Sequence, residues 1–576
     1  METPKKCPSA RSPRTISSQQ SSSKMMPRAA EGTAAAALAA VGSLLIIRAR
    51  LRRKRDLRSI AWLQGSLRLR DNEVIRRAAL SGAAGMLVVL ACEKGLARTA
   101  SDVFFREAAH ALDVQLRRAG NRLTVLHVAS HKEAIEKVAA LADEIHADAV
   151  FVDASEARGA DDALDLELAL ASRECAARVV AICDDALMLP LYLSVKALGR
   201  SYAGGKILRW TSYLRQAAAF KPKLPFPAPK QLPPPAVIKE EAAALVRQVQ
   251  WSSLLTHWGE VSEAKAMVLA RRAGEMGHGS ASSDTLGEDS GDQRHRHAEP
   301  SHLSPYLRWG VISPRDCIAC GVRQRHLLWR EWSRVAWRLC LPLRQGELVL
   351  PMLDRLCVRE AKGNGTHTAD QPMAEWSEER AFRAWCVGRT GALVVDAGMR
   401  QLWVMGWMPR GVRLLAAACL IEGLGVDWRR GRDWFAQTLV DHDFAINELM
   451  WQNAGMVGID PYYRGLKWEA LTPAYESYVS EWLHITLSLP TELKPFDALP
   501  VPSIGEVRRL AHDRRHMLSD VYQLAGRVAR CGVRVNANGD VLRVGREPLS
   551  CLRTTKQSSA TEEEYSEASV HSFNAK

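Results

Sequence analysis

At 576 residues the chain is long enough for two to four domains, or for one large α/β enzyme with appendages, and its apolar share of 47% is ordinary for a globular protein. The net charge of +14 would suit a nucleic-acid binder, but residues 1–58 hold 13 Lys and Arg against Glu2, Glu31 and Asp56, so 10 of those charges sit in the first tenth of the chain and a basic groove on the folded core does not follow. The 12 cysteines are scattered; Cys317 and Cys320 form a CxxC with no second ligand pair at zinc spacing, which excludes a metal site and favours a reducing compartment.

Residues 1–30 are rich in Ser, Pro, Arg and Lys and read as disordered. The 16 uncharged residues from Gly32 to Ile47 are shorter than the roughly 20 that a spanning helix needs, so no stable membrane span is expected. A Ser/Arg-rich, acid-poor extension over 1–58 points to a plastid or other organelle; the basic run Arg52 to Arg55 leaves a nuclear or cytoplasmic destination open.

From Ser59 short apolar runs alternate with helical patterns. Met86 to Cys92, Leu123 to Val128, Ala149 to Ala154 and Val179 to Asp185 predict buried strands; Ser101 to Arg118, Glu133 to Ile145 and Asp161 to Ala177 predict helices between them. This alternation over 59–220 implies a doubly wound parallel sheet. Neither GxGxxG nor GxxxxGK[ST] follows the first strand, which argues against a Rossmann dehydrogenase and a P-loop NTPase. Residues 221–300 form a Pro-rich linker and loop region, with Lys221 to Val237 extended and Gly277 to His297 of low complexity. Over 301–490 the period is helical, and Val412 to Val426 is apolar nearly all round, hence buried. Residues 491–576 are an extension with a basic amphipathic helix candidate, Glu506 to Gly532, and a disordered Ser/Glu-rich tail.

The motifs lie mainly in the helical part: SHLSPYLRWGVISPR (Ser301 to Arg315), LLWREWSRVAW (Leu327 to Trp337), GRTGALVVDAGMRQLWVMGWMP, VDWRRG and LVDHDFAINELMWQNAG. Taken alone, the serines suit a helix N-cap, Asp441 suits another, and the tryptophans suit a core. In this order, however, the motifs resemble the FAD-binding domain of the DNA photolyase/cryptochrome family. Ile60 to Ala79 resembles that family's α/β opening, so the resemblance covers roughly residues 59–490. It implies an α/β domain followed by an all-α domain that holds FAD noncovalently, with a pterin or deazaflavin antenna left undetermined.

The resemblance also implies roles. Ser301, Leu303 and Ser304 would hold the FAD phosphates. Arg330 and Trp407 would line the flavin pocket. Arg413, with Asp441 and Asp443, would fix the flavin ring through a buried Arg-carboxylate pair, and Asn447 would face flavin N5. Trp451, Trp428 and Trp376 match an electron relay running outward from the flavin. Trp329 would stack on a flipped pyrimidine lesion, with His326 and Arg410 beside it.

Asn447 is the photolyase residue type at its position. The glutamate that assists dimer splitting aligns with His326, however. The Asn-Arg pair after GWMH aligns with Arg410 and Gly411, a lesion-facing Met with Leu414, and the second Trp of GGWQW with Asn453. A site built around one carboxylate loses selectivity without it. GWMPRGVR lacks the paired histidines of (6-4) photolyases, and MWQNAGMVGID is most similar to the plant photolyase/blue-light receptor 2 and plant-like algal cryptochrome branch. The expectation is an FAD-binding blue-light photoreceptor with a signalling protein partner. The alternative is a cyclobutane-dimer photolyase acting on damaged DNA, and a third reading is a flavin-free interaction protein.

Overall fold

The computed structural model describes residues 57–93, 100–154, 159–182, 210–217, 222–238, 258–278, 301–339, 378–455 and 473–489, with a few short stretches besides. The leader, the loop over 279–300, the helix candidate over 506–532 and the acidic tail lie outside the described residues.

The first half builds β1 (Arg58–Leu63), α1 (Glu73–Ser81), β2 (Gly85–Glu93), α2 (Ala100–Arg118), β3 (Leu123–Val128), α3 (His131–Glu144), β4 (Ala149–Asp153), α4 (Gly159–Ala171) and β5 (Arg178–Ile182). The five strands are parallel in the order β3-β2-β1-β4-β5. The expected doubly wound sheet is therefore present, and α4 ends about one and a half turns before its predicted limit. Val, Ile and Leu dominate because both faces are covered. Alternate side chains enter two cores: Ile60, Trp62, Leu87, Val89, Val150 and Val152 pack under α3 and α4, whereas Ala61, Leu63, Val88, Leu90 and Phe151 join a core continuous with the helical half. At the ends of β1 and β4, where strand order reverses, Asp153 accepts from Ser66 and from Gly65 N, and Asp162 accepts from Gln64 at 2.7 Å.

The stretch 222–238 runs extended along this domain, with Leu232 N bonded to Ala119 O and Met86 N to Pro234 O. After α5 (Trp210–Ala217), the helix α6 (Glu263–His278) occupies part of the region read as linker and loop. Gly274 of α6 lies where a Cβ would meet Cys320 O at 1.9 Å, so α6 packs backbone to backbone on the chain at Cys320 and Gly321. Cys317 is buried, Cys320 partly exposed, both are free thiols, and no group of metal-ligating residues occurs among the described residues.

The helical half comprises α7 (Ser304–Arg308), α8 (Pro314–Ala319), α9 (Gln324–Leu339), α10 (Glu378–Cys386), α11 (Leu393–Met405), α12 (Arg410–Ala418), α13 (Trp428–Thr438), α14 (Phe444–Ala454) and α15 (Pro473–Leu483). The apolar run after Val412 is buried as expected, but it is no single helix. α12 passes into a π-helical turn at Cys419–Gly423 that widens the coil before α13. Among the described residues no single helix is long and apolar enough to cross a membrane; α11 and the α12–π segment pass only as a pair bent by 119°.

The halves are joined by the LRLRDN loop. Leu67 N donates to Trp309 O at 3.0 Å and Arg68 donates to Gly310 O at 3.1 Å. Arg70 pairs with Asp316 at 2.7 Å, and the buried Asp71 pairs with Arg315 at 2.8 Å.

Candidate functional site

The turn between α13 and α14 carries the densest polar chemistry. Asp443 caps α14, accepting from Ile446 N at 3.2 Å, and its other oxygen receives Arg334 of α9 at 2.7 Å. Burial alone would raise the Asp443 carboxyl, but Arg334, Arg308 and Arg330 outweigh it and hold the group well below the usual carboxylate range. Arg330 also donates to Leu307 O at 2.8 Å, and Arg308 donates to the carbonyl of His442. Three guanidinium groups thus act on one carboxylate at the start of α14.

Arg413 pairs with Asp441 at 2.8 Å, as the motif implied, but Asp443 does not share that arginine. Its partner is Arg334, one helical turn after Arg330. Asp443, not Asp441, is the N-cap. The spacing of Arg330 and Arg334 could have signalled this, since residues four apart share a helix face. His442 between the two carboxylates is neutral: burial first, then Arg308, lowers its imidazole to about 4.

Trp407 donates from Nε1 to Ser304 Oγ at 3.0 Å, joining the GWMP segment to α7. His302 lies against Trp407 with centroids 4.4 Å apart, and Trp258 meets both rings edge-on. His302 has φ +53, a left-handed backbone that side chains other than glycine adopt at a cost. Ser301 Oγ accepts weakly from Leu303 N at 3.5 Å, and Leu303 precedes α7 without a side-chain cap. His302 and Trp258, which meet Trp407, and Arg308 and Arg334, which bond the 442–443 turn, are residues that the sequence reading did not single out.

Trp451 and Trp428 are placed by glycines. A Cβ on Gly431 of α13 would lie 2.2 Å from Cη2 of Trp451, and one on Gly455 would lie 2.5 Å from Cδ1 of Trp428. The Trp451 ring therefore rests on a bare stretch of α13, and the Trp428 ring on the glycine that follows α14. Both are buried. Arg429 and Arg432 lie over the Trp428 ring at 4.8 and 5.5 Å. Asn447, on the same helix as Trp451, donates to Arg432 O at 3.0 Å. Trp376 lies outside the described residues.

On α9, Trp329 meets Trp210 at 4.8 Å and Trp332 at 4.9 Å, and Arg410 lies over its ring at 5.8 Å. The side chain of His326 lies outside the described residues.

The donor set fits a flavin dinucleotide. Asp441 Oδ1 and His442 Nε2 are buried with no hydrogen-bond partner among the described residues. A heteroaromatic ring with donor and acceptor edges would satisfy both.

A family model described as the FAD binding domain of DNA photolyase matches residues 326–493, and one described as DNA photolyase matches residues 59–225. A deoxyribodipyrimidine photo-lyase of Agrobacterium fabrum is 39% identical over 173 residues, covering 28% of this chain and 34% of its own length. Cryptochrome-1 of Arabidopsis thaliana is 28% identical over 293 residues, 44% of this chain and 41% of its own. The chain spans about a third of the length of the first curated photolyases it matches. The solved class III photolyase of Agrobacterium tumefaciens shares the fold, with TM-score 0.56 at 23% identity over 81% of this chain and 98% of that one.

Proposed function

The chain belongs to the photolyase/cryptochrome family and carries its FAD-binding domain, and we propose that it is a blue-light photoreceptor that uses this cofactor. The carrying observation is the buried pair Trp451 and Trp428, the first seated on Gly431 of α13 and the second on Gly455 at the end of α14. Asp441 and Arg413, with Asp443 and Arg334, would hold the ring; Arg308, Arg330, Ser301, Leu303 and Ser304 would hold the phosphates; Trp407 and His302 would wall the pocket. FAD supplies the light absorption and one-electron acceptance. With the cofactor bound, Trp451 would be its electron donor, Trp428 and then Trp376 would pass the vacancy outward, and Asn447, on the same helix as Trp451, would offer its amide to the flavin. The altered charge on the buried site shifts a conformational equilibrium that a signalling partner reads.

The positions that would face a DNA lesion hold His326, Gly411, Leu414 and Asn453, which supports reception over repair. Cyclobutane-dimer repair is the second reading, favoured by Arg410 lying over Trp329. We place the chain nearest the plant photolyase/blue-light receptor 2 and plant-like algal branch on the strength of MWQNAGMVGID, and in a plastid or other organelle on the strength of residues 1–58.

The deciding experiment mixes FAD-loaded protein with thymine-dimer DNA under reducing conditions and counts dimers in blue light and in darkness. Unchanged dimers, with the flavin photoreduced, are the expected result. Light-dependent loss of dimers would replace reception with repair and make His326 a working substitute for glutamate.

A further inference from the structure

The Pro-rich strap over 222–238 takes no part in any of these roles, and proline sets its course. In the run LPFPAP over 224–229, every residue is a proline or precedes one. Proline fixes its own φ near about −65°, and its ring drives the residue before it out of the helical region. Such a stretch is a left-handed polyproline II helix of about three residues per turn. In the structure it is extended, in neither helix nor sheet, and the chain bends at Lys230.

Burial follows the same period. Leu224, Pro227 and Lys230 are exposed, Leu224 by 86%, whereas Pro225, Phe226, Ala228 and Pro229 between them are half-buried. Phe226 is the first anchor. Its N–H donates to Asp71 Oδ1 at 3.2 Å, its carbonyl accepts from Asp71 N at 3.1 Å, and Arg76 lies over its ring at 5.5 Å. Past the bend, Leu232 is buried, its N–H donates to Ala119 O at 2.8 Å, and Pro233 O accepts from Asn121 at 2.7 Å. The strap is therefore held on the α/β half before and after an outward edge that carries a leucine, a proline and a lysine.

A solvated linker accounts for exposed prolines and lysines. It does not account for a leucine kept in water on the same edge as Pro227 and Lys230, in a stretch that proline has already ordered. We propose that residues 224–230 are a docking strand for a partner protein whose groove is lined by parallel aromatic rings and rimmed by carboxylates. Such a groove takes apolar pairs from two adjacent edges of the three-edged helix and leaves the third edge outside. Leu224-Pro225 and Pro227-Ala228 are the two pairs, one turn apart. The third edge, Phe226 and Pro229, is the one this protein holds against itself. Lys230 at the end of the strand meets the acidic rim, and the exposed Lys223 adds to the positive charge. Because the strand is preformed, binding orders little further chain.

The test titrates the full-length, FAD-loaded chain into an isotope-labelled SH3 domain whose aromatic groove has an acidic rim, following the indole N–H signal of the groove. Saturable shifts of that signal are the expected result. Leu224→Ser is expected to weaken binding at least about tenfold, as the loss of one buried leucine requires. Lys230→Glu is expected to weaken it at least about threefold and to flatten its dependence on salt. Both side chains are exposed, so flavin content and melting temperature should match the wild type and report intact folding. A peptide of residues 221–231 is the reference ligand. Binding of the peptide without binding of the full chain would show that the edge is covered in the folded protein, and would overturn the proposal. Failure of both to bind, or a Leu224→Ser chain that binds as the wild type does, would overturn it equally.

Discussion

His442 stands between two aspartates and is nonetheless neutral, because its imidazole is buried and Arg308 faces it. Its pKa is lowered from 6.5 to about 4, with Asp443 and Asp441 pulling only weakly the other way. The folded protein therefore binds fewer protons here than the unfolded chain. Stability from this group is complete above about pH 6.5 and is lost as the pH falls toward 4, by an amount of order 1–3 kcal/mol. Melting curves of the wild type and of His442→Gln across that window are expected to diverge, the wild type losing more as acid is added. A constant offset between the two would mean that His442 does not titrate in this range. Sequence alone placed Asp441, Asp443 and Arg413 in one site, since a short motif and its family spacing carry that much. It did not reveal that Asp443 belongs to Arg334, which lies 109 positions earlier in the chain and reaches it only through the packing of α9 on α14.

At the scale of elements, α13 and α14 cross where glycine permits it. Gly431 is required because the ring of Trp451 occupies the space a methyl group would need. Gly431→Ala is expected to cost about 1–3 kcal/mol and to displace Trp451 from its seat. Light-driven flavin reduction in this variant should fall more than flavin binding does. Equal losses of both would show that Trp451 had not moved and that the helices had merely separated. The alternation of strands and helices was legible because its periods are local. The π-turn after Ala418 was not legible, because nothing in an apolar run marks where a helix widens. The motif GRTGALVVDAGMR, among the strongest points of resemblance, ties down a loop through its own side chains. Asp396 is fully buried and accepts from Thr390 N at 2.7 Å and Gly391 N at 2.9 Å, locking the loop before α11. Arg400 ties the same loop to the chain beyond α15, donating to Ile485 O at 2.9 Å. A strong family signal can thus mark residues that lock a loop in place.

For the molecule as a whole, the question is whether the α/β half and the helical half melt together. The sequence suggested a division near 220, and the Pro-rich stretch supports one, yet the physical join lies elsewhere, in the loop after β1. That join has two independent components. One is electrostatic: Asp71 is fully buried with φ +51 and is balanced by Arg315 at 2.8 Å. The other is steric: Gly310 has φ +61, and an added Cβ would lie 1.9 Å from the carbonyl oxygen of Gly65. No side chain can relieve that contact, since both partners are backbone. Gly310→Ala must therefore push the LRLRDN loop away from Trp309 and Gly310, breaking the bonds from Leu67 N and Arg68 in the same motion. The strain and lost contacts amount to about 2–5 kcal/mol. Because the core is continuous across the join, the loss should appear as lost cooperativity as well as a lower melting temperature. The wild type is expected to unfold in one calorimetric transition and Gly310→Ala in two, the flavin leaving with the helical half. A single transition shifted by less than a degree would show that the contact at Gly310 is not what binds the two halves.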